Sequence, residues 1–345
     1  MNETAPLGVD VAKVTAWFDT NLTDVVAPLT FQLIAGGRSN LTFRVQDATG
    51  RAWVLRRPPM GHVLATAHDM SREHRIISAL APTNVPVASA LGLCTDEAVN
   101  GAPFYVMDFV DGLILRDAEA AGAVSQEVRR QSGLSIADTL ARIHAVDPDA
   151  VGLGDLGRKE GYIARQLKRW NGQFEKSQTR EVPAVTSAFE RLTTGMPEQQ
   201  SATIVHGDYR LDNCMVNPSG DVIAVLDWEL CTLGDPMADL GLLMVYWSES
   251  GDPFAALPGA ATTLEGFPSR KELVAAYEAA SGREVVDLHY YQAFGYWKLA
   301  CILEGVYARY KAGAMGNDGA DADAFGDVVT LLASSAHASL DQIGT

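Results

Sequence analysis

The chain is poor in cysteine, short of positive charge and without a long apolar run. Cys94, Cys214, Cys231 and Cys301 are scattered, with no CxxC pair and no Cys/His cluster. That excludes a zinc knuckle, demands no disulfide framework and fits a reducing, cytoplasmic setting. No stretch approaches the roughly 20 apolar residues that a membrane helix needs. Met1 to Pro6 lacks the basic and apolar regions of a secretory signal, so no membrane partner is expected. Lys and Arg number 27 against 43 Asp and Glu, a formal charge of -16. A field of that sign repels nucleic acid, which is excluded as a partner. Lysine is scarcest of all in the first third, where Lys13 stands alone before residue 112.

What is present is a globular composition, 47% hydrophobic and 20% charged over 345 residues, long enough for two lobes. The acidic excess is uneven. Residues 1–111 hold 8 basic and 11 acidic residues, and residues 112–345 hold 19 and 32. The plain reading is a solubilising surface; an attraction for metals or amines is the sharper one.

Val11, Val14, Phe18 and Leu22 recur at helical spacing. Leu29–Ile34, Leu41–Val45 and Ala52–Leu55 read as strands, the last two joined by a turn at Asp47-Ala48-Thr49-Gly50. Ser71–Leu80 reads as a helix, ended by Pro82 and Pro86, and Val87–Leu93 and Phe104–Phe109 read as two more strands. Past Asp111-Gly112 the pattern turns helical: 125–144, 161–174 and a largely apolar helix at 294–310. Ser269 with Glu272 forms a capping box. Pro253–Pro268, rich in Ala, Gly, Thr and Pro, reads as a mobile loop. The division expected is a β-rich N-lobe at 1–111 and a mainly helical C-lobe at 112–345.

The informative segment is His206-Gly207-Asp208-Tyr209-Arg210-Leu211-Asp212-Asn213, entered from apolar Ile204-Val205. Asp227 follows at the end of a second apolar strand, in Leu226-Asp227-Trp228-Glu229. Phosphoryl transfer needs a carboxylate to take the acceptor's proton and hard oxygen ligands for magnesium. Kinases supply an Asp, an Asn five residues on and a separate later Asp. Asp208, Asn213 and Asp227 reproduce that order and spacing. His206 reads as structural. Asp212 reads as a surface or capping carboxylate, and Glu229 stands open between assisting magnesium and facing solvent.

With these residues in view, the chain resembles the aminoglycoside phosphotransferase-like small-molecule kinases, and most of all the kinase domain associated with some acyl-CoA dehydrogenases. Gly36-Gly37-Arg38-Ser39-Asn40, Val54 through Pro59, Arg165 through Trp170, Gly234-Asp235-Pro236 with Asp239-Leu240, and Gly305 through Tyr310 carry the likeness. The resemblance implies an α+β, protein-kinase-like bilobal fold that binds ATP. It implies Asp208 as base, Asn213 and Asp227 as magnesium ligands, and Asp239 as support for the catalytic loop. The usual β3 lysine is missing. Arg56, sharing a strand face with Val54, takes its place, with Arg57 pointing away and Glu73 as the ion-pair partner. Gly37, Ser39 and Asn40 are expected against the phosphates. The backbone at Asp108 and Val110 is expected against adenine.

The acceptor is a small-molecule hydroxyl. Tyr209 and Arg210 beside the base, Trp228 beside Asp227, and the helical set Tyr162, Arg165 and Arg169 are candidates to meet it. Three readings stand: a kinase for a hydroxyacyl or carboxylated metabolite, an aminoglycoside or amino-sugar kinase, and a nucleotide-binding pseudokinase.

Overall fold

The computed structural model describes residues 6–34, 40–60, 69–255, 260–313 and 322–343. Contacts divide the chain into two compact units, Met1–Leu113 with Ile223–Glu229, and Ile114–Val222 with Leu230–Thr345. The segment that carries Asp227 thus groups with the N-terminal residues, against chain order.

The elements of the first unit are α1 (Val11–Asn21), β1 (Thr30–Leu33), β2 (Leu41–Gln46), β3 (Ala52–Arg57), α2 (Met70–Leu80), β4 (Ala90–Cys94), α3 (Glu97–Asn100) and β5 (Phe104–Asp108). The strands form one antiparallel sheet in the order β1-β2-β3-β5-β4. Alternation along β2 and β3 sends Phe43, Val45, Trp53 and Leu55 into a core with Val14 and Phe18 of α1. Trp17 meets Phe104 edge-on at 5.0 Å between centroids. A β-carbon on Gly92 would lie 2.8 Å from the Trp17 ring, and the β4–β5 register shifts there. Asp69 caps α2 by accepting from the Arg72 amide. The buried stripe of α2 is Met70, Glu73, Ile76, Ile77 and Leu80, which sinks one carboxylate into an apolar face.

The second unit follows with α4 (Ala118–Gly122), α5 (Gln126–Ala145), α6 (Tyr162–Ser177), α7 (Pro183–Thr194), β6 (Thr203–Val205), β7 (Cys214–Val216), β8 (Val222–Val225, which runs into the other unit), β9 (Thr232–Gly234), α8 (Pro236–Tyr246), α9 (Arg270–Ser281), α10 (Leu288–Lys311) and α11 (Ala322–Leu340). Helix α10 packs on α6, α7, α8 and α11, as its nearly all-round apolar sequence requires. The capping box at Ser269 and Glu272 is formed at the start of α9, where it holds the Glu272 carboxyl down to about 2. The reading of Pro253–Pro268 as a mobile loop is corrected over its described part. Ala261 and Thr262 are buried, the Thr262 hydroxyl donates to the Ser248 carbonyl, and the Trp247 indole donates to the Pro268 carbonyl at 2.8 Å. Among the described residues no helix is long and apolar enough to cross a membrane.

Candidate active site

In the second unit, β6 pairs antiparallel with β9 and delivers the chain to His206. The amides of His206 and Gly207 donate to the two carboxylate oxygens of Asp239, at 2.6 and 2.8 Å. Asp239 is fully buried in the first turn of α8, where the helix N-terminus favours negative charge. Burial alone would raise its pKa. Hydrogen bonding and charge from His144, the nearby His206 ring and the Gly207 amide outweigh that and hold it below the ordinary carboxylate range. Gly207 has φ of +85°, and a β-carbon there would lie 2.8 Å from the Leu230 carbonyl oxygen, so the turn requires glycine. The His206 ring is buried, and its Nδ1 accepts from the Asp208 amide at 3.2 Å.

The Asp208 carboxylate is held from both sides. The Tyr246 hydroxyl donates to Oδ1 at 3.1 Å. Asn213 Nδ2 donates to Oδ2 at 3.2 Å and to the Asp208 carbonyl at 2.8 Å, and Arg210 Nε lies 3.4 Å from Oδ2. Asn213 closes a short 3-10 turn, Leu211–Asn213. With its nitrogen spent on Asp208, its amide oxygen is the atom left for a hard cation. Asp212 pairs with Arg210 at 3.0 Å. Behind the loop, the buried Lys298 Nζ donates to the Gly207 carbonyl at 2.8 Å. Burial lowers the pKa of that amine, against the pull of Asp208 and Asp239.

In the first unit, Arg56 is the hub of an acidic cluster. Its Nε lies 2.9 Å from Glu73 Oε2, and its Nη2 lies 2.5 Å from Asp227 Oδ1 and 4.0 Å from Glu229. Asn40 Nδ2 bridges Glu73 and Glu229 at 3.2 and 3.1 Å, and the Tyr105 hydroxyl donates to Glu73 at 3.1 Å. Glu229 is therefore built into the cluster rather than turned to solvent. Burial would lower the Arg56 pKa, but Glu73, Asp227 and Glu229 outweigh it and push it up. Burial raises the Glu73 carboxyl, against the attraction of Arg56. Arg57 turns the opposite way and donates to the carbonyls of Gly8 and Asn100. Asp227 adopts a left-handed conformation with φ of +62°, rare for a residue with a β-carbon.

The Arg72 guanidinium also reaches this cluster, donating to the Glu229 carbonyl at 3.5 Å. Asp227 and Asn213 offer the carboxylate and amide oxygens that magnesium accepts. They lie on different units, and among the described residues no cluster of three or more His, Cys, Asp or Glu forms a ready-made metal site. Gly37 and Ser39 lie outside the described residues. The Asp108 amide donates to the Ser89 carbonyl at 2.9 Å, which spends that N–H inside the unit, and Val110 is half-buried past the end of β5.

Residues 30–273 match the family described as the phosphotransferase enzyme family. The chain belongs to that family. It is 38% identical to Acyl-CoA dehydrogenase family member 10 of Mus musculus over 283 residues, 80% of this chain and 26% of that protein. The chain spans roughly a quarter to two fifths of the length of the curated relatives it matches. A crystal structure from Ralstonia eutropha JMP134, assigned as an aminoglycoside phosphotransferase, superposes with a TM-score of 0.81 at 34% identity, over 96% of this chain and 98% of that one. The GDP complex of aminoglycoside 2'-phosphotransferase-IIIa has a TM-score of 0.62 at 14% identity, covering 95% and 99%, and shares the fold. The fold is thus protein-kinase-like, with a β-sheet N-terminal part and a helical C-terminal part.

Within its second unit the chain holds a cavity of about 510 Å³. Val245, Phe254, Leu299, Ile302, Leu303 and Leu332 give it apolar walls, and Arg116, Arg210, Asp212 and Tyr246 supply most of its polar edge. Arg210 and Tyr246 both contact the Asp208 carboxylate, so the cavity adjoins the candidate base. Of the residues expected to meet the acceptor, Arg210 alone lines this space. Tyr209 is fully buried and donates to the Ile136 carbonyl at 2.8 Å. Trp228 is buried in the first unit and donates to the Val225 carbonyl. Tyr162 is buried, with its ring packed against Gly234. Arg165 donates to the Arg158 carbonyl, and exposed Arg169 lies over the Trp170 ring at 5.0 Å. Large polar residues beside a motif are as often anchors of the fold as tools of the site. Tyr246 and Lys298 went unread in sequence. The available signals were a tyrosine seven residues after Asp239 on one helix and a lone charge in the apolar run Phe294–Ile302.

Proposed function

We propose that the chain transfers the γ-phosphoryl group of ATP, with magnesium, to a hydroxyl of a small molecule whose body is apolar and which carries a carboxylate or related anionic group, such as a hydroxyacyl compound. The observation that carries the proposal is the Asp208 carboxylate, held by hydrogen bonds on both oxygens beside a largely aliphatic cavity. Asp208 takes the proton of the acceptor hydroxyl as its oxygen bonds to the γ-phosphorus and the bond to the ADP oxygen breaks. Arg56, oriented by Glu73, grips phosphate oxygens with a fork that stays charged at any working pH. Gly37, Ser39 and Asn40 are assigned to the phosphates, and the Asp108 and Val110 backbone to adenine. For Asp108 only the carbonyl can serve, since its amide is already engaged. Magnesium, when bound by Asn213 and Asp227, would offset the charge of the phosphates.

The cavity favours this acceptor over an aminoglycoside. A polycation calls for several converging carboxylates, yet Asp212 is the one carboxylate along the described lining and already pairs with Arg210. Arg116 at the edge offers positive charge, which suits an anionic group. The pseudokinase reading is disfavoured by the full set of Asp208, Asn213 and Asp227.

The test is phosphate transfer from magnesium-ATP to a panel of hydroxyacyl-CoAs, free hydroxy acids, aminoglycosides and sugars. Hydroxyacyl compounds or hydroxy acids should be preferred, and Asp208→Ala should abolish transfer while ATP still binds. Preference for aminoglycosides would overturn the acceptor assignment. Full transfer by Asp208→Ala would overturn the base.

A further inference from the structure

We propose that Tyr246 is a positioning residue for phosphoryl transfer, whose hydroxyl fixes the rotation of the Asp208 carboxylate at the mouth of the acceptor cavity. The inference rests on the reading of Asp208 as the base. The phenol donates to Oδ1 at 3.1 Å, while Asn213 and Arg210 hold Oδ2. Without the tyrosine, all the restraint falls on one oxygen, and the carboxylate can rotate about its last side-chain bond, a broad and soft torsion. With it, both oxygens are fixed, and a lone pair of Oδ1 stays open to an incoming hydroxyl, since a carboxylate oxygen accepts two hydrogen bonds.

The surroundings keep the phenol a donor. Burial and the charge of Asp208 push its pKa well above the usual tyrosine value, so it stays protonated beside the anion. The ring is fixed as well: Tyr246 ends α8, and the Arg210 guanidinium lies over it at 5.0 Å from its centroid. Ring and hydroxyl also have separable duties. The ring forms cavity wall and supports Arg210, and the hydroxyl touches Asp208. Tyr246→Phe removes the second duty and leaves the first.

The experiment compares wild type, Tyr246→Phe and Asp208→Asn by ADP release from magnesium-ATP, with hydroxydecanoyl-CoA as acceptor probe and with water alone. Tyr246→Phe should lower kcat roughly 10- to 100-fold, the range for a hydrogen bond to a charged group. KM for ATP should stay within about twofold and the melting temperature within about 2 °C, since the lost group orients the base and touches no nucleotide. Unchanged kcat overturns the proposal. So does a loss of kcat matched by weaker ATP binding or a collapse in melting temperature, the marks of a merely structural role. Asp208→Asn separates the two levels. If it retains wild-type ADP release, or if wild type releases none with either acceptor, the base assignment itself falls. If it is inactive while Tyr246→Phe is unimpaired, the positioning role alone falls.

Discussion

Replacement of Asp239 by asparagine tests whether the loop that begins at His206 is held in shape by a buried charge. The substitution keeps the outline of the side chain but turns one acceptor oxygen into an NH2 group facing a backbone N–H. Two amides, from His206 and Gly207, now donate to an ionised carboxylate at 2.6 and 2.8 Å. Bonds to a charged acceptor contribute about 1.5–3 kcal/mol each. The asparagine keeps one as a neutral bond and leaves the other donor buried and unmet, a loss of about 2–4 kcal/mol. In a protein of this size that lowers the melting temperature by roughly 3–6 °C. The pH dependence has a definite sign. The folded carboxyl sits below the ordinary aspartate value of 3.8. Its stabilisation is therefore complete above that value and fades only as pH falls through the lower folded value. The gap in melting temperature between wild type and Asp239→Asn should be flat through neutral pH and close only in strong acid. Thermal melts across a pH series measure it, with ADP release followed in parallel. A variant that melts with the wild type, or a gap that closes near pH 6, would refute the reasoning.

Arg56→Lys should weaken ATP binding roughly tenfold, because an ammonium cannot span Glu73 and Asp227 as the guanidinium does; calorimetric titration with nucleotide measures this, and unaltered affinity would remove Arg56 from the phosphate site. Gly207→Ala places a β-carbon 2.8 Å from the Leu230 carbonyl oxygen at positive φ, which should cost about 1–3 kcal/mol and most of the turnover; a melt and an ADP-release assay matching wild type would contradict it. Leu303→Trp should fill part of the cavity, raising KM for the acceptor while sparing KM for ATP; equal changes in both would place the acceptor elsewhere.

Much of this was legible along the chain because it is local. The spacing from Asp208 to Asn213, the alternation in β2 and β3 and the capping box at Ser269 are all settled within a few residues. Arg56 could be singled out because strand parity separates it from Arg57, and the two do turn opposite ways. What was not legible depends on distant partners. Tyr246 reaches Asp208 across 38 residues and Lys298 reaches Gly207 across 91. Tyr209 and Trp228 looked available because they flank Asp208 and Asp227, yet each spends its polar atom on a carbonyl and its ring on the core. Helix α7 went unread because its apolar stripe gains meaning only against α10 and α11. Pro253–Pro268 has loop composition, but Trp247 and Ser248 anchor its described part.

Helix α8 sets a spacing as well as a surface. Asp239 fastens the backbone ahead of Asp208, and Tyr246, two turns on, fastens the Asp208 carboxylate itself. Seven residues of α-helix advance about 10 Å and return to nearly the same side of the rod. The helix therefore works as a ruler whose two marks must fall on one edge. Deleting a single residue between them would turn one mark by about 100° and part it from the loop, although every side chain named here would still be present.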